Sequence, residues 1–372
     1  MKSKQMVQLT AAVVIVTLVS IGVIGCQKHT DLQIKKPHQT ESTLTYKKIP
    51  LPLETFKRVM GWLTKDEILI HGGGNNEDTL YRFNILTGKL SVLYEAKGLI
   101  LTSAISADRK KIFIQLADNP NSRLEIVSSD GVLLQEQKIS TANYLNVNWN
   151  ASNNQNLFLA YYESENHLKV LNWQLASNDF QEIPGDSLTP IWYSDHLYVY
   201  VDNFGEFFLT RGKLYLGDTR TGEKTELSDQ VSNFYLTNDA LITFTPSDFS
   251  EDALLLNYQY PFLVDQGFLE IPKMTMNQRL LFPYLSQEKR QAPIYGVFPK
   301  KAVHLELEAG DFQLARLNFK KSKVEPIVDL PDNAPIQISP DGTRSLYGWR
   351  FENVIDLNQK NRTPFFDFPK QK

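Results

Sequence analysis

The apolar residues of this chain fall into short runs separated by polar turns, and the spacing of those turns repeats. Runs such as Ile112-Phe113-Ile114, Leu157-Phe158-Leu159-Ala160-Tyr161-Tyr162 and Leu197-Tyr198-Val199-Tyr200-Val201 are rich in β-branched and aromatic residues and are bounded by Asn, Asp, Ser and Gly, as short strands are. Two sets of turns measure the repeat. The first is marked by Asp66, Asp108, Asn153, Asp195, Asp239, Lys300 and Asp341, at intervals of 42, 45, 42, 44, 61 and 41 residues. The second falls later in each unit, at Gly88, Gly131, Asn178, Gly222, Ser322 and Asn361, with intervals of 43, 47, 44, 100 and 39. A period near 44 residues holds four short strands, and helical signals are nearly absent after the N-terminus. The pattern therefore predicts an all-β fold, a β-propeller of four-stranded blades. The turn count predicts seven blades. Six is the alternative, if the long interval holds an insertion, expected at about 245–292, and one apparent unit is incomplete.

One apolar run is different. Leu9 to Ile24 is sixteen residues without a charge, preceded by Lys2 and Lys4 and closed by Gly25 and Cys26. It is shorter than the roughly 20 residues of a spanning helix and reads as the apolar region of a secretory signal peptide over residues 1–25. Residues 26–49 are polar, with Lys28, Lys35, Lys36, Lys47 and Lys48 among Gln, Thr, Ser, His and Pro, and read as a tether with an end-to-end distance of roughly 25 Å. The propeller is then expected over residues 50–369.

Composition narrows the function classes. The 372 residues are 42% hydrophobic and 22% charged, enough apolar material for a core. Thirty-nine basic residues against 42 acidic give a net charge of −3, without a basic block, so nucleic acid is not an expected partner. Removing residues 1–25 removes two lysines and no acids, leaving 37 against 42 and a net −5. The single cysteine excludes an internal disulfide, a two-cysteine redox motif and a cysteine-rich zinc site.

Several motifs resemble known ones. Val23-Ile24-Gly25-Cys26 resembles the lipobox of bacterial lipoprotein signal peptides. That resemblance implies cleavage before Cys26, a diacylglyceryl group on its thiol and acylation of the new α-amino group, and two or more acyl chains hold a protein firmly on a bilayer. Ile338-Ser339-Pro340-Asp341-Gly342-Thr343-Arg344 looks like the blade turn of TolB-like propellers, and Ile105-Ser106-Ala107-Asp108-Arg109 is a worn copy of it. The hairpins at Asn84 and Asp218 are similar to those of quinoprotein-type propellers. Lipobox, tether and blades together most resemble the YqgU-like lipoproteins of Gram-positive bacteria, a family described as six-bladed. The resemblance implies a location on the outer face of the cytoplasmic membrane.

Catalytic and metal motifs are thin. Gly185-Asp186-Ser187-Leu188 spells the nucleophile block of GDSL hydrolases, but the last histidine is His304, with Lys301 three residues before it, so the late Asp-x-x-His that would supply a base is missing. His71-Gly72-Gly73-Gly74 echoes an esterase oxyanion hole without a Gly-x-Ser-x-Gly elbow, and reads as a flexible hairpin tip. Asp118-Asn119-Pro120-Asn121 is oxygen-rich but reads as a turn. The six histidines are scattered, with His29 and His38 in the tether and no His-x-x-x-His pair, so neither metal nor cofactor is expected. Trp62, Trp149 and Trp192 recur just before the first turn of their blades, which points to repeated core packing ahead of sugar stacking.

The irregular unit is the one region the repeat leaves unexplained. Tyr258, Tyr260 and Phe262 lie in it, followed by Met274, Met276 and the charged Gln287-Glu288-Lys289-Arg290. These aromatics form a candidate docking surface, since Tyr and Phe supply contact area at low entropic cost. A lid over the propeller, or the core of another blade, is the competing account. The expectation is a membrane-anchored, non-catalytic binding or scaffolding module for a cell-envelope partner. A propeller enzyme or a solute sensor using the central channel is the alternative.

Overall fold

The computed structural model describes residues 45–367, apart from residues 75, 142, 166, 185–186, 203–210 and 238. The lipobox residues Val23, Ile24, Gly25 and Cys26 lie outside the described residues. Within them, seven four-stranded antiparallel meanders follow one another, the sixth interrupted between its second and third strands by Val303–His304. They begin with the strands Phe56–Trp62, Ile100–Ile105, Asn146–Trp149, Ile191–Trp192, Asn233–Thr237, Leu285–Ser286 and Ile336–Ile338, which approach one another around the axis as the inner strands of blades 1 to 7. The outer strands are Leu90–Glu95, Leu133–Ile139, Asp179–Glu182, Lys224–Val231, Asp265–Pro272, Lys323–Leu330 and Asn361–Pro364. The turn count of seven matches the sheets.

Seven hydrophobic clusters fill seven seams, one between each pair of neighbouring blades, and the alternation of a strand explains how. On the second strand of blade 3, Leu157, Leu159 and Tyr161 join Phe113 and Leu124 of blade 2, while Phe158 and Ala160 point the other way to Trp192 and Tyr198 of blade 4. Both faces are buried, so these strands read as unbroken apolar runs. The seam between blades 7 and 1 closes the ring in the same currency, with Trp62 and Ile70 against Leu346 and Val354. Among the described residues no strand is shared between the first and last blades.

The inner strands are also stitched by polar contacts. Trp62 donates its amide N–H to Gln337 Oε1 at 3.2 Å and its indole N–H to the Gln337 carbonyl at 3.0 Å. Trp192 repeats the first contact with Asn148 Oδ1 at 3.2 Å, and Trp149 repeats the second with the Ala104 carbonyl at 3.1 Å. All three tryptophans are buried in the seams, as core packing requires.

Three expectations need correction. The stretch 245–292 is not an insertion as a whole: residues up to 272 complete blade 5 through the strands Ala240–Pro246, Ala253–Gln259 and Asp265–Pro272. The extra material is the link that follows, whose strands Met274–Met276 and Arg279–Leu281 form a small sheet with Val303–His304 from the second hairpin of blade 6. Lys300 marked the wrong turn, because the first hairpin of blade 6 is residues 287–293 and Lys300 begins its second. Residues 45–49 are not tether. Tyr46 and Ile49 are buried in the seam of blades 7 and 1, where Tyr46 Oη donates to Asp356 Oδ2 at 2.7 Å, Lys47 N to Ile85 O at 2.8 Å and Ile49 N to Phe365 O at 3.0 Å.

Candidate binding site at the channel mouth

First and third hairpins of every blade lie on one face of the ring, here the mouth face; second hairpins and interblade links lie on the opposite face. The mouth-face turns are built as the sequence indicates. Ser339 Oγ donates to Asp341 Oδ1 at 2.6 Å and accepts from Arg344 N at 3.0 Å. The worn copy does the same, with Ser106 Oγ to Asp108 Oδ1 at 2.6 Å and Lys111 N to Ser106 Oγ at 2.9 Å. Each third hairpin turns through one residue of positive φ: Gly88, Gly131, Asn178, Gly222, Leu263, Ser322 and Lys360. Glycine and asparagine tolerate that conformation.

At the centre of this face is a recess of about 430 Å³ lined by residues of blades 2 to 7. Other grooves are as large, about 480 Å³ between blades 1 and 2 and about 500 Å³ between blades 4 and 5, but each touches only two blades. The recess is framed by two ion pairs. Arg109, at the first turn of blade 2 with φ 61°, reaches across the channel and donates through Nη2 to both oxygens of Glu288 on blade 6, at 2.7 and 2.8 Å. Arg290 pairs with Asp239 of blade 5. Burial raises the Glu288 carboxyl above its usual range, and Arg109 opposes that shift.

The 287–293 hairpin therefore arches over the mouth, and blade 5 holds it. Gln287 N donates to Tyr235 Oη at 2.9 Å and Gln291 Nε2 to Tyr260 Oη at 3.1 Å, while within the hairpin Gln287 Nε2 donates to Ala292 O at 2.8 Å. Burial pushes the Tyr235 hydroxyl up to about 12, so it stays protonated. Between the ion pairs the walls offer Asn148, Ser152, Thr237 and Gln337 beside Trp149, Trp192 and Tyr193. Gln287 Oε1 and Trp192 Nε1, both buried at this wall, have no hydrogen-bond partner among the described residues.

The aromatics singled out from sequence stand behind this site and divide between two seams. Tyr258 is half-buried, stacked on Phe319 at 4.5 Å in the seam of blades 5 and 6. Phe262 stacks at 3.9 Å on Tyr193, which lines the recess, and Tyr260 holds the arching hairpin. Met274 is fully buried and Met276 exposed. The charged stretch Gln287-Glu288-Lys289-Arg290 is plain in the sequence but its partners are not, since Arg109 is 179 residues from Glu288.

The remaining motifs find ordinary roles. Ser187 is buried and its Oγ accepts from Thr189 N at 3.2 Å; Gly185 and Asp186 lie outside the described residues. His71, Gly72 and Gly73 are strand, correcting the reading as a flexible tip, and a side chain on Gly73 would strike Asp78. Asp78, fully buried, accepts from Lys57, from His71 Nε2 at 3.0 Å and from Ile100 N at 2.8 Å. Burial would raise its carboxyl, but these donors outweigh it and hold the group below its usual range. Asp118 and Asn121 flank the two-residue second turn of blade 2. Among the described residues no group of three or more His, Cys, Asp or Glu gathers as a metal site would.

A closed ring of seven four-stranded blades with a polar recess at one end of its channel defines a β-propeller. The chain belongs to the family described as the YqgU-like 6-bladed beta propeller domain, which matches residues 84–348. That span runs from the end of the third strand of blade 1 into blade 7, and the described residues hold seven four-stranded sheets. The chain is 24% identical over 319 residues, 83% of its length and 84% of the relative's, to the uncharacterized lipoprotein YqgU of Bacillus subtilis (strain 168). It is similar in fold to the uncharacterized protein lmo1340 of Listeria monocytogenes EGD-e, with a TM-score of 0.78 and 22% identity, covering 87% of this chain and 98% of that one. The propeller domain of the Trilobed protease from Pyrococcus furiosus, for which an open velcro topology is reported, gives a TM-score of 0.54 at 14% identity, covering 85% and 99%.

Proposed function

We propose that this chain is a lipid-anchored protein of the outer face of the cytoplasmic membrane, joined to the bilayer through Cys26, and that its propeller is a non-catalytic binding module for another envelope component. The relative named as a lipoprotein supports the anchor. The observation that carries the binding reading is the recess at the mouth, whose volume falls within the range of ligand sites. Its charges neutralise each other in pairs between blades, Arg109 with Glu288 and Arg290 with Asp239. What remains to meet a ligand is amide, hydroxyl and aromatic surface, which suits an uncharged polar segment such as a peptide backbone or a neutral glycan.

A photo-crosslinking amino acid placed at Thr237, in the recess, should capture a defined envelope component in intact cells, whereas the same probe at exposed Val132 should not. Equal adducts at both positions would refute the mouth as the site. For the anchor, Cys26→Ala should abolish metabolic labelling by a fatty-acid analogue; a labelled variant would overturn it.

A further inference from the structure

The mouth face is electrically divided. Blade 6 presents Lys289 on its first hairpin and Lys320, Lys321 and Lys323 at its third; blade 7 adds Lys360 and blade 1 adds Lys89. Lys47, whose side chain lies against Gly88, completes the arc. All seven are exposed, and among the described residues none has an ion-pair partner. Three carboxylates of the same sector are turned inward, where Asp66 holds Arg344 at 2.7 Å, Glu288 holds Arg109 and Asp356 accepts from Tyr46; Asp341, which accepts from Ser339, is exposed. Over blades 2 to 5 the same face is mixed and acidic on balance, with exposed Asp108, Asp130, Asp179, Asp195 and Glu223 beside exposed Lys110, Arg220 and Lys224. The opposite face carries exposed charges of both signs, Glu251, Asp252, Glu306 and Asp311 with Lys97, Lys300, Lys301 and Arg350.

The course of the chain adds a second, independent observation. Residues 46–47 sit on the mouth face beside Asp356 and Ile85, and by Thr55, whose carbonyl accepts from Gly73 N, the chain has crossed to the opposite face. The polypeptide toward Cys26 therefore leaves from within the basic arc. Nineteen residues separate Cys26 from Tyr46, which span at most about 65 Å fully extended.

We propose that the mouth-face sector of blades 6, 7 and 1 rests on an anionic lipid surface, so that the propeller stands on that edge with its opposite face directed away from the bilayer. The inference rests on the lipid anchor proposed above. Attraction of lysines to an anionic leaflet falls off within a Debye length, about 10 Å at 0.1 M salt. The anchor keeps the protein at the surface, and the lysine arc chooses which edge meets it.

The test uses the lipidated full-length chain in vesicles of phosphatidylcholine alone or with about a third phosphatidylglycerol, carrying a headgroup-linked quencher. A fluorophore is attached to Gln359→Cys, in the basic sector, or to Leu307→Cys, on the opposite face; both positions are exposed. In anionic vesicles, quenching at 359 should exceed that at 307 severalfold. In neutral vesicles or 0.5 M salt the difference should vanish while the protein stays with the vesicles, and replacing Lys320, Lys321, Lys323 and Lys360 by Gln should have the same effect. Equal quenching at the two positions in anionic vesicles, or an equal preference in neutral ones, overturns the proposal while leaving the anchor standing. A chain that floats with neither vesicle, or whose native Cys26 thiol takes the label, overturns the anchor and the proposal together.

Discussion

Replacing Tyr46 should cost far more stability than a residue beside a tether would. Its ring is buried with Phe56, Trp62 and Phe365, and its hydroxyl donates to Asp356 Oδ2, a buried carboxylate whose other oxygen accepts from Asn358 N and Gln359 N. Tyr46→Phe removes one hydrogen bond to a charged acceptor, about 1.5–3 kcal/mol, and leaves the packing intact. Tyr46→Ala also removes the ring, and large-to-small changes of that kind cost about 3–5 kcal/mol before the hydroxyl is counted. The larger figure approaches the total stability of many domains. Urea unfolding followed by tryptophan fluorescence, with Tyr144→Ala as a control at an exposed position, measures the series. A Tyr46→Ala protein within about 0.5 kcal/mol of the wild type would refute the claim that residues 45–49 hold the seam.

Three further outcomes are expected. Burial keeps the His71 pKa below its usual value, so the unfolded chain takes up that proton first and the protein loses stability as pH falls through and below about 6.5; urea midpoints at pH 7.5 and 5.5 should differ less in His71→Gln. Leu263 occupies a left-handed turn position at φ 66°, so Leu263→Asn should raise stability by about 0.5–1 kcal/mol, read from the same denaturation curve. Glu288→Gln breaks the cross-channel pair, and hydrogen exchange should quicken at Gln287–Gln291 with a global loss under about 2 kcal/mol; unchanged exchange there would show that the pair does not hold the hairpin.

The architecture was legible because a blade is a local unit: its turns recur in sequence and its strands pair with their sequence neighbours. The places where the reading slipped have physical causes. Blade 5 disappeared from the second set of turns because its left-handed residue is Leu263, where the other blades use Gly, Asn, Ser or Lys, and a leucine does not advertise a turn. Residues 45–49 passed for tether because Lys47 and Lys48 are exposed, and the burial of Tyr46 and Ile49 depends on blade 7, more than 300 residues on. The channel mouth was illegible for the same reason. Arg109 sat in a recognisable turn and Glu288 in a noticed charged stretch, but their meeting across the channel is a property of ring closure.

Ring closure that shares no strand among the described residues also has a mechanical meaning. A pull arriving along the chain from residue 26 reaches Tyr46, Lys47 and Ile49 before any strand of blade 1, and their contacts grip two bodies at once: Asp356 and Phe365 on blade 7, Ile85 on blade 1. Tension there acts on the joint between the blades and leaves the hydrogen-bond ladders inside each sheet unloaded. Under load the ring would part at that joint, as a clasp opens, and with it the channel would widen on the side where the chain departs.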